Sequence, residues 1–329
     1  MEKRSAVVVG SYVQDHVWRT ASLPMPGESR IGDFATGPGG KGFNQAVALA
    51  RQLDHPGDVH FIGAVGADAL AQSAKAAALG FGLSTSWFEK SGATAAASVI
   101  VDAHGANLIC VALGANAQLF ESDIDAALNE HVRTQDKPGV LVVQLEIALP
   151  ATQAALACAQ QHGVRSILNP APINPAVTTE LLALADIITP NETEFAFLLV
   201  HLLGMSLIPT DFDDDEVLHR GARALSAGTV VITLGAAGAF ISHGVRQHGD
   251  SKAFYRLPAE PANAIDTTGA GDAFTGGLAA ACLLFPNAAF ADWARHAMRV
   301  AALSVEAEGA ANAMPSLVDV QARFGQTLC

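Results

Sequence analysis

The sequence predicts an α/β fold with a mostly parallel central sheet, helices on both faces, and a small antiparallel sheet set beside it. Three observations carry this. Short apolar runs rich in β-branched residues alternate with Ala/Leu-rich stretches of helical periodicity, so strands and helices take turns along the chain. Glycine and polar residues punctuate each change, the pattern of βαβ units whose parallel strands are buried on both faces. Residues 12–37 and 94–113 break that rhythm with alternating segments of their own.

Taken in order, Ala6–Gly10, Val59–Val65, Val140–Gln144, Ser166–Asn169, Ile187–Thr189 and Thr229–Leu234 read as buried strands. Helices are predicted at Phe43–Arg51, Ala67–Leu79, Glu121–His131, Pro150–His162, Glu192–Leu203 and Asp214–Ala227. The last third is helical, over Ala270–Leu284, Ala288–Glu306 and a short segment after Pro315. Ala97–Val101 and Leu108–Val111 flank Asp102-Ala103-His104-Gly105, whose residue types suit a hairpin turn. With residues 12–37 these form the expected lid. Neither a repeat nor a low-complexity linker interrupts the chain, so residues 1–329 are read as one domain.

Composition narrows the function. Half the residues are hydrophobic and 16% are charged, enough for a large core and too apolar for disorder. The net charge of −13 opposes non-specific binding to nucleic acid or to an anionic membrane. The four cysteines form no CxxC pair, which suits reduced thiols in the cytoplasm rather than a zinc site. The N-terminal apolar run Ala6–Val9 is too short for a signal-peptide core, and the longest apolar stretch elsewhere, Phe195–Ile208, contains His201 and Gly204 and falls short of a bilayer span.

Four segments carry candidate chemistry. The first is Asp266-Thr267-Thr268-Gly269-Ala270-Gly271-Asp272, leading into an apolar helix. Backbone N–H groups at such a terminus converge on an anion, and a carboxylate there is favoured in its ionised form. These are the donors and the base that phosphoryl transfer to an alcohol requires. The same residues also describe an ordinary capped helix after a tight turn. The second is Gly37-Pro38-Gly39-Gly40-Lys41-Gly42-Phe43-Asn44-Gln45. It departs from a Walker A loop, because Ala35 and Gly42 replace its first glycine and its Ser/Thr. Glycines with Lys41 and Asn44 at a helix start suit a hydroxyl-rich ligand, or simply a flexible turn.

The third segment, Thr189-Pro190-Asn191-Glu192-Thr193-Glu194, places Asn191 and Glu194 on one face of a first helical turn. There they could orient a hydrated Mg²⁺ and nucleotide phosphates, or cap the helix. The fourth, Thr233-Leu234-Gly235-Ala236-Ala237-Gly238, ends a strand in a glycine turn against which a nucleotide could lie. No histidine metal motif and no GxSxG elbow appears.

In this order the four segments resemble the PfkB carbohydrate kinases, and within them the ribokinase group most closely. The likeness runs nearly end to end. It includes Gly10-Ser11 with Asp15, Pro26-Gly27-Glu28, Gly114-Ala115-Asn116-Ala117, Gln144-Leu145-Glu146 and Asn169-Pro170-Ala171-Pro172. The resemblance implies a ribokinase-like fold with a β-lid over the sugar, ATP and Mg²⁺ as cofactors, and transfer to a primary hydroxyl. Its acceptor would be D-ribose, giving ribose 5-phosphate. Asp272 would be the base, and the amides of Gly269, Ala270 and Gly271 the anion hole. Asp15, Gly40, Lys41, Asn44 and Glu146 match sugar-binding positions. Asn191, Glu194, Thr233, Gly235 and Gly238 match positions around the nucleotide phosphates and Mg²⁺. A K⁺ site would map to Asp266, Thr268, Ser304 and Gly309, and a homodimer would form through the lid.

Two residues depart from that pattern. Val13 stands where the ribokinases carry Asn, and Ala313 where they carry Ser. Val13 removes one polar contact from the sugar pocket and, with Tyr12, motivates the alternative of another sugar or a nucleoside as acceptor. A catalytically silent sugar- or nucleotide-binding regulator is the alternative from outside enzymology.

Overall fold

The computed structural model describes residues 5–53, 55–134 and 137–325. Its strands are β1 (Ala6–Val9), β2 (Val13–Arg19), β3 (Asp33–Gly39), β4 (Val59–Gly66), β5 (Ser84–Lys90), β6 (Ala96–Val101), β7 (Asn107–Ala112), β8 (Val140–Val143), β9 (Arg165–Leu168), β10 (Ile187–Ile188), β11 (Thr229–Thr233), β12 (Ala239–Ser242) and β13 (Phe254–Leu257). The α-helices are α1 (Lys41–Ala50), α2 (Ala69–Gly80), α3 (Glu121–Thr134), α4 (Leu149–His162), α5 (Thr179–Ala183), α6 (Glu192–Leu203), α7 (Asp215–Leu225), α8 (Ala270–Leu284), α9 (Phe290–Ser304) and α10 (Leu317–Phe324).

Nine strands form the main sheet in the order β13-β12-β11-β10-β9-β8-β1-β4-β5. It is parallel from β11 to β5, and β12 and β13 extend it antiparallel. Central β1 shows why such strands read as unbroken apolar runs. Ala6 and Val8 pack into one core with α1, α8 and α9, while Val7 and Val9 pack into another with α4, α6 and α7.

The six strands read as buried from the sequence all join this sheet. The alternating pattern did not reveal β5, β12, β13 or α5, and each has a physical reason. β5 (Ser-Thr-Ser-Trp-Phe-Glu-Lys) is a half-buried edge. β12 and β13 form an antiparallel extension without an intervening helix. α5 has five residues, too few to show a helical period.

The small sheet runs β3-β2-β6-β7. Its outer pairings, β2–β3 and β6–β7, are antiparallel, whereas the two hairpins meet through a parallel β2–β6 pairing. β3 continues to Gly39, two residues past 37, and so delivers the chain straight into α1.

Two close approaches draw the functional segments together. A Cβ on Gly42 would lie 2.6 Å from the Cα of Gly10, so the start of α1 rests on the end of β1 backbone to backbone. A Cβ on Gly276 would meet the Gln45 carbonyl at 2.6 Å, so α8 crosses α1 equally closely. The segments after β1, β8, β9, β10 and β11 thus open at the carboxyl end of the sheet, where α/β folds bind ligands.

Candidate active site

Asp272 lies in the first turn of α8, 6% exposed. Its carboxylate accepts from Asn44 Nδ2 at 2.9 Å through one oxygen and from Gln45 Nε2 at 2.9 Å through the other. Burial pushes its pKa upward, against the opposing pull of Lys41, Asn44 and Gln45. Gly269 caps α8 in the left-handed conformation. The Ala270 N–H donates to the Thr267 carbonyl at 3.2 Å, closing the turn. A side chain at Gly271 would meet nothing within 4 Å, so the backbone there faces open space.

Around this base stand four further charged groups. Lys41 opens α1, and its pKa is raised: burial acts downward, but the carboxylates of Asp272, Glu146 and Glu194 outweigh it. Glu146 follows β8 and accepts from Ser11 Oγ at 2.5 Å and from the Lys41 N–H at 2.9 Å. Asp15, on β2, presses its carboxylate against Gly39, where a Cβ would lie 2.1 Å away. Burial first, then the charges of Glu146 and Asp272, push the Asp15 pKa up to about 6. Gly40 permits the turn into α1 at φ 92°, with a Cβ there only 2.7 Å from the Val13 nitrogen. Asn44 Oδ1 is buried without a hydrogen-bond partner, an acceptor left for a ligand.

On the other side of Lys41, Asn191 caps α6 in a reciprocal box. The Glu194 N–H donates to Asn191 Oδ1 at 2.8 Å, and the Asn191 N–H to Glu194 Oε2 at 2.9 Å. The capping reading of this segment is therefore realised. Even so, the Glu194 pKa is raised, by burial and by the charge of Asp272, and Lys41 acts on the same carboxylate. Thr233 bridges to Asn191, and its N–H donates to the Pro190 carbonyl at 3.0 Å. Gly235 and Gly238 close the following turn at φ 53° and φ 94°.

Asp266 ties down the remaining loop. Its two oxygens accept from the Thr268 N–H at 2.9 Å and the Gly309 N–H at 3.0 Å. Burial acts upward on its pKa, but these bonds prevail and hold it below the usual carboxylate range. Ser304 Oγ instead turns back onto the Ala301 carbonyl at 2.8 Å.

Several polar residues that join the site were given no role from the sequence. Gln144 Nε2 donates to Gln45 Oε1 at 2.6 Å, and Gln45 Nε2 also reaches Asn169 Oδ1 at 3.1 Å. Asn169 Nδ2 donates to the Thr189 carbonyl at 2.8 Å. The signal was present: polar amides closing apolar strands, at 144 and 169, are costly unless they find partners. Val13 lies 2% exposed in a small apolar cluster with Ala95 and Ala97. Tyr12 is buried edge-on against Phe43 and Trp87, its hydroxyl donating to Gln14 at 2.6 Å.

A parallel sheet covered on both faces, a small sheet beside it, and a carboxylate at a glycine-led helix terminus with Lys41, Glu146 and Asp15 around it suit a sugar-kinase class. The family model "pfkB family carbohydrate kinase" matches residues 3–317, and the chain belongs to that family. It is a phosphotransferase with an alcohol acceptor. Among relatives, a ribokinase of Schizosaccharomyces pombe is 33% identical, with 97% of each chain covered. Among solved structures, the ribokinase of Giardia lamblia superposes with a TM-score of 0.83 at 27% identity, covering 98% of this chain and all of that one. Arabidopsis thaliana ribokinase complexed with ribose and ATP gives 0.78 at 27% identity, covering 97% of this chain and 98% of that one.

Proposed function

We propose that this chain transfers the γ-phosphoryl group of ATP to the primary hydroxyl of D-ribose, releasing ribose 5-phosphate and ADP. The observation that carries the proposal is Asp272: a buried carboxylate at a helix N-terminus, held by amides on both oxygens and acted on by the charge of Lys41. Asp15, Gly40, Lys41, Asn44 and Glu146 bind the sugar; the unpartnered Asn44 Oδ1 and the crowded Asp15 carboxylate are acceptors suited to hydroxyls.

In the transfer, the sugar oxygen attacks phosphorus as the bond from phosphorus to the β,γ-bridging oxygen breaks. The hydroxyl proton passes to Asp272. A sugar hydroxyl is a weak acid, so the proton leaves as the new bond forms rather than before it. The N–H groups of Gly269, Ala270 and Gly271 stabilise charge on the moving group, with Ala270 already sharing its proton with Thr267.

Asn191, Glu194, Thr233, Gly235 and Gly238 serve the nucleotide. The oxygen donors of Asn191 and Glu194 fit a hydrated Mg²⁺ carried with ATP, which neutralises phosphate charge when bound. Asp266 and carbonyls of the Thr268, Ser304 and Gly309 segments would hold a K⁺ ion beside the anion hole; the ionised Asp266 supports this reading.

The buried Tyr12 offers no face to a nucleobase, which favours a free sugar over a nucleoside. β7 is exposed along its length, with Leu108, Ile109 and Val111 open, and supports a dimer through the lid that light scattering would test. Cys110, Cys158 and Cys282 are unpaired, in keeping with a cytoplasmic enzyme. Asp272→Asn is the deciding variant. We expect turnover to fall about 10³-fold while ribose and ADP binding persist. Undiminished turnover would exclude both the base assignment and this mechanism.

A further inference from the structure

Asn44 and Gln45 are consecutive, yet their side chains are deployed differently. Asn44 gives its amide N–H to Asp272 and keeps Oδ1 unpartnered. Gln45 is fully buried, and its carboxamide is spent entirely within the protein. Nε2 donates both to Asp272 Oδ1 and to Asn169 Oδ1, and Oε1 accepts from Gln144. Both polar atoms of Gln45 thus have partners within the protein.

The partners of Gln45 anchor it to the sheet. Gln144 follows β8 directly, and Asn169 follows β9. Asn169 in turn donates to the carbonyl of Thr189, just beyond β10, whose hydroxyl lies 3.2 Å from that of Thr275 on α8. The base is therefore fixed from two directions: through its own helix, and through an amide chain running along the ends of three parallel strands.

We infer that Gln45 is the positioning residue of the Asp272 base, fixing the plane of its carboxylate and keeping it ionised while it waits for the sugar hydroxyl. This rests on Asp272 being the base. A buried carboxylate resists ionisation unless donors stabilise the charged form, and Gln45 supplies one of the two side-chain donors that Asp272 has among the described residues. Without it, the carboxylate takes up a proton at higher pH and can rotate away from the attacking oxygen.

Two variants and one control test this. Gln45→Met removes the donor and the acceptor at similar length. Gln45→Glu keeps an acceptor for Gln144 and sets a second carboxyl against Asp272, so that the two share a proton. We expect the acidic limb of the kcat–pH profile to rise by about one pH unit in Gln45→Met, and further in Gln45→Glu. At neutral pH, kcat should fall about 10–100-fold with sugar KM changed less than about threefold. Gln52→Met is the control, because Gln52 is a buried glutamine whose Nε2 bonds the Pro315 carbonyl, remote from the base. It should lower melting temperature and leave the limb in place.

A limb unmoved in both Gln45 variants, with kcat lowered equally at every pH, would overturn the inference and make Gln45 a packing residue. A rise in KM that matches the fall in kcat would overturn it too, by placing Gln45 in binding. Asp272→Asn run alongside separates this from failure of the underlying mechanism: an active Asp272→Asn enzyme would remove the base itself, whereas an inactive one with an unmoved Gln45 limb removes the positioning role alone.

Discussion

On the side of the site that we propose takes the sugar, the charges of Asp15, Lys41, Glu146 and Asp272 act on one another, and Asn44 adds an unpartnered acceptor. On the side that we propose takes the nucleotide, Asn191, Glu194, Thr233, Gly235 and Gly238 are engaged with the protein's own backbone. The first region keeps charge and an acceptor unsatisfied by the protein itself. The second is stable as it stands and offers a shaped surface. Substitutions should therefore separate: on the sugar side they change affinity and pH dependence, and on the nucleotide side they change stability first.

The largest effect is expected at Gly238, where a Cβ would lie 2.1 Å from the Leu257 carbonyl oxygen in a backbone at φ 94°. Gly238→Ala should destabilise by about 3 kcal/mol, lowering the melting temperature by roughly 4–5 °C. If calorimetry finds the melting temperature unchanged and only the KM for ATP raised, the contrast between the two sides fails at that residue.

Next comes Asp15→Asn. Loss of a charge-assisted acceptor should raise sugar KM about 10–150-fold, since such bonds contribute about 1.5–3 kcal/mol. In the wild type, sugar affinity should fall as pH drops through about 6, where Asp15 takes up its proton. The stability effect has the opposite direction. The folded-state pKa of Asp15 lies above the ordinary aspartate value of 3.8, so between there and about 6 the folded protein holds more protons than the unfolded one. Stability contributed at low pH is thus lost as pH rises through that window. Asp15→Asn should accordingly melt about 2–4 °C higher than wild type at pH 7.5, with the gain gone at pH 4. Melting curves at the two pH values check the sign.

Gly271→Ala tests the comparison from the other direction, because it changes backbone surroundings without crowding. A methyl there meets nothing within 4 Å, and Ala is the better helix former. Stability should hold or rise by about 0.5 kcal/mol. Turnover should fall at least tenfold or so, because the methyl intrudes where the amides face the phosphoryl group. Unchanged turnover would show that this helix terminus caps and does not cradle.

How much of this was legible in the sequence follows the same division. The central strands were readable because burial on both faces leaves an apolar run with no polar interruption, as in Ala6–Val9. The edges were not: β5 carries polar residues, and the β2–β6 pairing depends on two distant hairpins meeting, which no local pattern encodes. The site segments could be located, since glycines, Lys41 and Asp272 stand out against an apolar background. Their division of labour could not. Asn191 and Glu194 read equally well as a cap or a phosphate site because the cap is real and still leaves Glu194 beside Lys41. Gln45 was hidden for a different reason. A buried amide acquires meaning only from its partners, and Gln144, Asn169 and Asp272 lie 99, 124 and 227 residues away.

The smallest expected effect belongs to Val13, which sits on the same face of β2 as Asp15 yet is packed among Ala95 and Ala97. Val13→Asn places an amide in that apolar cluster, and without a partner it should destabilise the free enzyme by about 1–2 kcal/mol. A bound sugar with a hydroxyl in reach would supply the partner. The rise in melting temperature on adding ribose should therefore be greater in the variant than in wild type. By the same logic, an analogue lacking that hydroxyl leaves the amide unpaired, so the ratio of kcat/KM for ribose over deoxyribose should increase about 3–10-fold. An unchanged ratio would mean that the apolar wall at Val13 does not touch the sugar, and that selection among acceptors rests with Asp15, Asn44 and Glu146 alone.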